Sequence, residues 1–237
     1  MIRSVLLFAV LAGLVLLVVF LPMRLALDWS GLGERGLAAR RVEGSIWSGT
    51  LYDARFGAVP LGTLEAGLQP ASLLGTPMVA VRRAETSATG QDFSGSLGGG
   101  NGKLVVEGAN GDVPLDQIAG DLPIAAARLN NVALQLDDGR CQSASGEVQL
   151  ILSSWLGRFA AQNGLRGRLQ CDGDAVALTT AGQSGLERLS VRVDPDGRYR
   201  AELAIQGLSR ELGLGLRVMG FKPSGNRLVL STEGVLR

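Results

Sequence analysis

Residues 199–206 run Tyr199-Arg200-Ala201-Glu202-Leu203-Ala204-Ile205-Gln206. Tyr199, Ala201, Leu203 and Ile205 fall on one side of an extended chain, and Arg200, Glu202, Ala204 and Gln206 on the side expected to face water. A period of two belongs to a half-buried β-strand, because successive Cβ atoms of extended backbone point to opposite faces; a helix needs apolar residues three and four apart. Working outward, the same alternation groups Leu189, Val191 and Val193, Val176 with Leu178, and Leu169 with Cys171. It continues back through Val148, Leu150 and Leu152 to Val132, Leu134 and Leu136, and forward to Leu228 and Leu230.

Between these runs lie Asp137-Asp138-Gly139, Asp172-Gly173-Asp174, Ala181-Gly182-Gln183-Ser184-Gly185, Asp194-Pro195-Asp196-Gly197 and Ser224-Gly225-Asn226. Glycine supplies positive φ, and Asx side chains bond back to the main chain, so each is turn chemistry. Strands separated by such turns, with no long helical pattern between them, predict an antiparallel meander or curved sheet with one face packed and one wet. In the first half, residues 42–56 read as two short strands around Ser48-Gly49, residues 59–68 as another, and residues 103–107 as one more after the glycine run Gly98 to Gly102. Short helical turns are expected at 70–74, 115–119, 154–162 and 209–219, the last capped by Ser209 with Leu212, Leu216 and Met219 on one side. The expected fold class is mainly β with a few short helices.

Val5 to Leu21 is a run of seventeen apolar residues flanked by Arg3 and Arg24. At about 1.5 Å per residue it covers roughly 25 Å, close to the ~30 Å hydrocarbon core of a bilayer, and Pro22, Met23 and Leu25 extend it. Trp29 follows at a distance suited to the headgroup level. The run is longer than the h-region of a cleaved signal peptide, and no convincing A-x-A site follows it, so a retained transmembrane anchor is expected. The chain then divides into residues 1–27, a cytoplasmic stub and anchor; 28–115, a first periplasmic β subdomain; and 116–237, a second. Charge alone leaves the orientation ambiguous, since Arg3 competes with Arg24, Arg35, Arg40 and Arg41, but long domains translocate largely regardless of charge. Cys141 and Cys171 are the only cysteines. They suit one disulfide in an oxidising periplasm; two buried thiols in a reducing compartment are the alternative.

Composition narrows the function. Lys and Arg number 23 against 22 Asp and Glu, a net charge of +1 with the signs interspersed, which gives no footprint for nucleic acid. There is no histidine. That removes the usual general base of serine and cysteine hydrolases, the commonest metal ligand and the neutral-pH proton switch. Gly98 to Lys103 resembles a phosphate loop only superficially, because Leu97 stands where the motif's first glycine belongs and Leu104 where Ser or Thr follows the lysine. Neither Asp194-Pro195-Asp196-Gly197 nor Asp172-Gly173-Asp174 has the ligand run of a calcium loop. Asp112 and Asp116 are a carboxylate pair four apart in a segment that reads as solvated loop. Trp47 and Trp155 fit burial in a small core or the edge of a ligand groove. No catalytic, metal or cofactor-binding residues are assigned, no cofactor is expected, and no small-molecule substrate is expected.

Gly44-Ser45-Ile46-Trp47-Ser48-Gly49-Thr50-Leu51 after an N-terminal anchor, then 62–68, Pro70-Ala71-Ser72-Leu73-Leu74-Gly75, Cys141 before Gly146-Glu147-Val148, Gly167 to Gly173, and Asp196-Gly197-Arg198-Tyr199 follow one another in an order that resembles protein N of the type II secretion system. The G-x-I-W-x-G element (Gly44, Trp47, Gly49) and the cysteine pair carry the resemblance over nearly the whole chain. It implies a non-enzymatic, single-pass inner-membrane protein with a large periplasmic domain, contacting the inner-membrane platform proteins and the outer-membrane secretin. The G-S-x-x-S-G opening and the glycine-punctuated amphipathic strands are also similar to AsmA-like envelope proteins, which implies lipid handling instead. A lipid conduit needs a continuous apolar face left uncovered, whereas a scaffold fills that face with helices and side chains.

Overall fold

The structure is a computed structural model. It describes residues 13, 16–30, 37–56, 59–70, 78–83, 92–100, 102–115, 122–157, 163–207 and 209–235. Contacts within the chain separate two compact units, Met1–Asp92 and Phe93–Arg237.

The first unit carries helix α1 (Met23–Ser30) and strands β1 (Leu37–Ala38), β2 (Arg41–Ser45), β3 (Ser48–Phe56), β4 (Val59–Leu68) and β5 (Met78–Arg83). Every pairing among them is antiparallel: β1 and β2 both lie along β3, β3 pairs with β4, and β4 with β5. Met23, Leu51, Ala54, Leu64 and Ala66 form its core, with Leu27, Val42, Val79 and Val81 packed around them.

In the second unit the strands follow one another as β6 (Phe93–Gly100), β7 (Lys103–Pro114), β8 (Ile124–Asp137), β9 (Arg140–Leu152), β10 (Leu165–Asp172), β11 (Ala175–Ala181), β12 (Glu187–Val193) and β13 (Arg198–Gln206), each antiparallel to the next. Only the end departs from the meander: β15 (Arg227–Val235) lies against β13, and β14 (Lys222–Ser224) forms the edge beyond it. Two short helices, α2 (Ser154–Gly157) and α3 (Arg210–Val218), interrupt the sequence of strands. The turn residues behave as their chemistry requires. Asp138 and Gly139, at φ 48° and 79°, are the two central residues between Asp137 and Arg140, a primed turn whose twist matches the strands it joins.

The period-two pattern becomes burial. Leu165, Leu189 and Leu203 are fully buried, and Leu203 stands opposite Leu189 on one side and Leu230 on the other. Leu156 of α2, Leu216 of α3 and Phe221 belong to the same apolar cluster, so helices and a loop cover part of the face that the strands turn inward, while Leu97 and Leu104 at its β6–β7 end stay exposed. On the wet face opposite charges sit across strands: Arg128 on Asp112, Arg168 on Glu147 and Arg200 on Glu233, each a register pair. Such surface pairs contribute little stability each, yet they mark the register: a slip of one residue between β13 and β15 would part Arg200 from Glu233 and take Leu203 out of line with Leu230.

Several details differ from the sequence reading. The hairpin turn in 42–56 is Ile46-Trp47, with Ser48 and Gly49 already in β3. The strand expected over 103–107 runs on to Pro114, because Gly108 and Gly111 take positive φ and carry it through a bulge. Ala204, expected to face water, is buried between its register neighbours Arg188 and Val229, which are larger than it is. Of Leu212, Leu216 and Met219, only Leu216 is buried. The sequence-derived division between residues 115 and 116 falls in the connection from β7 to β8. The transmembrane helix expected from Val5 to Leu21 lies largely outside the described residues; among those described, no helix is long and apolar enough to cross a membrane. Past Leu115, the helical turn expected at 115–119 also lies outside them, as do most of the turns at 70–74 and 154–162.

Candidate functional site

The G-S-I-W-S-G element is the tip of the β2–β3 hairpin. Ser45 pairs with Ser48 and Gly44 with Gly49, which leaves Ile46 and Trp47 as a two-residue turn. Main-chain bonds hold the tip on both sides: Ile46 N–H donates to the Leu21 carbonyl (3.0 Å), and Leu68 N–H donates to the Ile46 carbonyl (2.7 Å). Pro22 forms an isolated bridge to Ser45, and the Trp47 indole N–H donates to the Val18 carbonyl at 3.2 Å. The tip is thus fastened to the end of the apolar run and to β4 at once.

The glycines make this possible. Gly44 has φ 89°, and a Cβ there would collide with the Ser48 carbonyl oxygen. At Gly49 a Cβ would lie 2.8 Å from Met23 Cγ, so only hydrogen at this position lets the methionine of α1 cover the hairpin. Gly67 in β4 leaves room for the Trp47 carbonyl in the same way. Neither Met23 nor Gly67 stands out in the sequence. Their role depends on which strand lies next to the tip, and local pattern does not carry that information.

Cys141 and Cys171 are bridged, with Cα atoms 5.6 Å apart. Cys141 follows the Asp138-Gly139 turn by one residue and Cys171 precedes the turn at Gly173, so the disulfide ties two hairpin ends together. The Cys141 N–H donates to the Asp174 carbonyl at 2.8 Å beside it.

The remaining sequence-derived candidates assemble no reactive centre. Asp112 accepts two bonds from the Arg128 guanidinium (2.8 and 3.0 Å), and this pairing raises the Arg128 pKa above its ordinary value through hydrogen bonding and then charge attraction. Asp116 lies outside the described residues. The glycine run ends β6 and enters the β6–β7 hairpin, where Gly100 pairs with Lys103. Arg192 engages Asp172 and Asp194, and Arg198 engages Asp196, so these turn aspartates neutralise neighbouring arginines. Among the described residues no group of three or more Cys, Asp or Glu is placed to hold a metal ion. Of the anchor's bounds, Leu21 takes part in the hairpin clasp and Val5 lies outside the described residues.

These features define a class: an antiparallel β-protein, closed by a disulfide and built around packed strands. The family model for type II secretion system protein N matches residues 35–230, and the chain belongs to that family. No curated protein matches the chain. No solved structure matches it.

Proposed function

We propose that this protein is a non-enzymatic, inner-membrane-anchored, periplasmic component of the type II secretion system that acts by protein contacts with the inner-membrane platform and the outer-membrane secretin. The family match over residues 35–230 carries this reading. The disulfide fits an oxidising compartment. Leu16 to Phe20 expose apolar side chains, as a segment entering a bilayer would.

The competing AsmA-like reading, lipid handling in an open apolar groove, has less support. Around Leu165, Leu189, Leu203, Leu156 and Phe221 the inward face of the second unit is packed, as suits a scaffold, whereas Leu97 and Leu104 stay exposed at its β6–β7 end.

Photo-crosslinking in the native host tests the contacts. A photoreactive residue replacing exposed Arg200 or Glu233 should trap a platform protein or the secretin. Crosslinks confined to phospholipid, with the protein folded and present at normal levels, would reject the proposed partners in favour of lipid handling.

A further inference from the structure

Helix α3 is held to the core through Leu216 and leaves Leu214 and Val218 in water. Ser209 caps its start, its hydroxyl accepting from the Leu212 N–H. At its other end Gly220 takes φ 95°, Gly220 N–H donates to the Arg217 carbonyl and Phe221 N–H to the Leu216 carbonyl, the paired bonds of a Schellman stop. Leu216 and Phe221 on either side of that stop are buried in the core. They hold the helix in place. Leu214, Met219 and Val218 are 57%, 56% and 90% exposed. Val218 is helical, capped and fixed by its neighbours, so its exposure is built into the fold.

Charge concentrates at the same place. Residues 209–229 contain Arg210, Arg217, Lys222 and Arg227 against the single carboxylate Glu211, although the whole chain carries only +1. Arg217, Lys222 and Arg227 are exposed and have no ion-pair partner among the described residues, whereas Arg128, Arg192, Arg198 and Arg200 all have carboxylates. Protruding apolar side chains flanked by unneutralised cations match a surface with negative headgroups over an apolar interior.

We propose that α3 and the following β14–β15 hairpin form a second membrane contact, in which Leu214, Val218 and Met219 enter the interface of an anionic phospholipid bilayer and Arg217, Lys222 and Arg227 engage its headgroups. This rests on the reading that the chain is held at a membrane. Tethering supplies the high local concentration that a contact of this size needs.

The test uses the full chain with Val218→Cys. Its thiol can be labelled selectively, since Cys141 and Cys171 are bridged. An environment-sensitive fluorophore at this site should shift to the blue in nanodiscs of phosphatidylethanolamine and phosphatidylglycerol, and nitroxide-bearing lipid should quench it. Both effects should be lost in phosphatidylcholine discs, in high salt, and when Arg217→Ser, Lys222→Ser and Arg227→Ser are combined. A label at Ser190→Cys, an exposed position on β12, should stay water-exposed throughout. Water-like emission from residue 218 in the anionic discs, or burial only after another secretion protein is added, would overturn the proposal. Carbonate washing of native membranes separates the two readings: retained protein with a water-exposed label removes the docking alone, and released protein removes the anchor and the docking with it.

Discussion

Gly49 is small because Met23 covers it, and Gly44 is glycine because no other residue adopts φ 89° without strain. Gly49→Ala is expected to cost about 1 to 3 kcal/mol by overpacking, and Gly44→Ala at least about 1 to 2 kcal/mol from the left-handed backbone alone. Denaturant unfolding of the two variants measures both. In the second unit, Leu203→Ala should lose about 2 to 5 kcal/mol, because a fully buried leucine leaves a cavity between Leu189 and Leu230. A similar loss from Thr232→Ala, on the less buried stretch of β15, would mean that burial does not rank these sites. Trp47→Phe keeps most of the ring and removes the bond to the Val18 carbonyl, so about 1 kcal/mol is expected. At this scale the sequence pointed to Gly44, Trp47 and Gly49 as a group. It could not show what each one touches, because Met23, Leu21 and Gly67 approach from other parts of the chain.

Strands were legible wherever alternation was strict, since one buried face imposes it locally. Tyr199 to Gln206 is the clear case, and β13 covers it. Turns built from Asp and Gly were equally legible. The Ile46-Trp47 turn was not, because neither residue is a turn former, and the bonds that hold it come from Leu21 and Leu68. The disulfide belongs to this scale too. Its cysteines are 30 residues apart, and on the chain-entropy account breaking it should cost about 3 to 4 kcal/mol. Exported protein should run faster on non-reducing than on reducing gels, and the paired Cys141→Ser and Cys171→Ser variant should lose that difference together with thermal stability. Equal mobility, with both thiols open to alkylation, would show that the bridge does not form in the cell. Helix α3 was legible in position and cap, but its buried side was not, since Leu212, Leu216 and Met219 are all apolar and only packing distinguishes them.

For the molecule as a whole, antiparallel strands, a packed apolar core, cross-strand charge pairs and a disulfide describe a structure suited to holding position. The chain belongs to the protein N family of the type II secretion system. Fold class was legible because one periodic signal repeats through the chain; strand order was not, because a meander and a repetitive groove share the same alternation. Nor was the return of β15 to β13, because the helix between them lengthens the connection beyond what turn chemistry specifies. The central claim is that the protein supports export by its contacts. Its most direct test is deletion of the gene in its own host, complemented by the full chain, with a secreted enzyme assayed in medium and periplasm under inducing conditions. Enzyme accumulating in the periplasm, and returning to the medium on complementation, is the predicted result; undiminished export from the deletion strain would contradict the account.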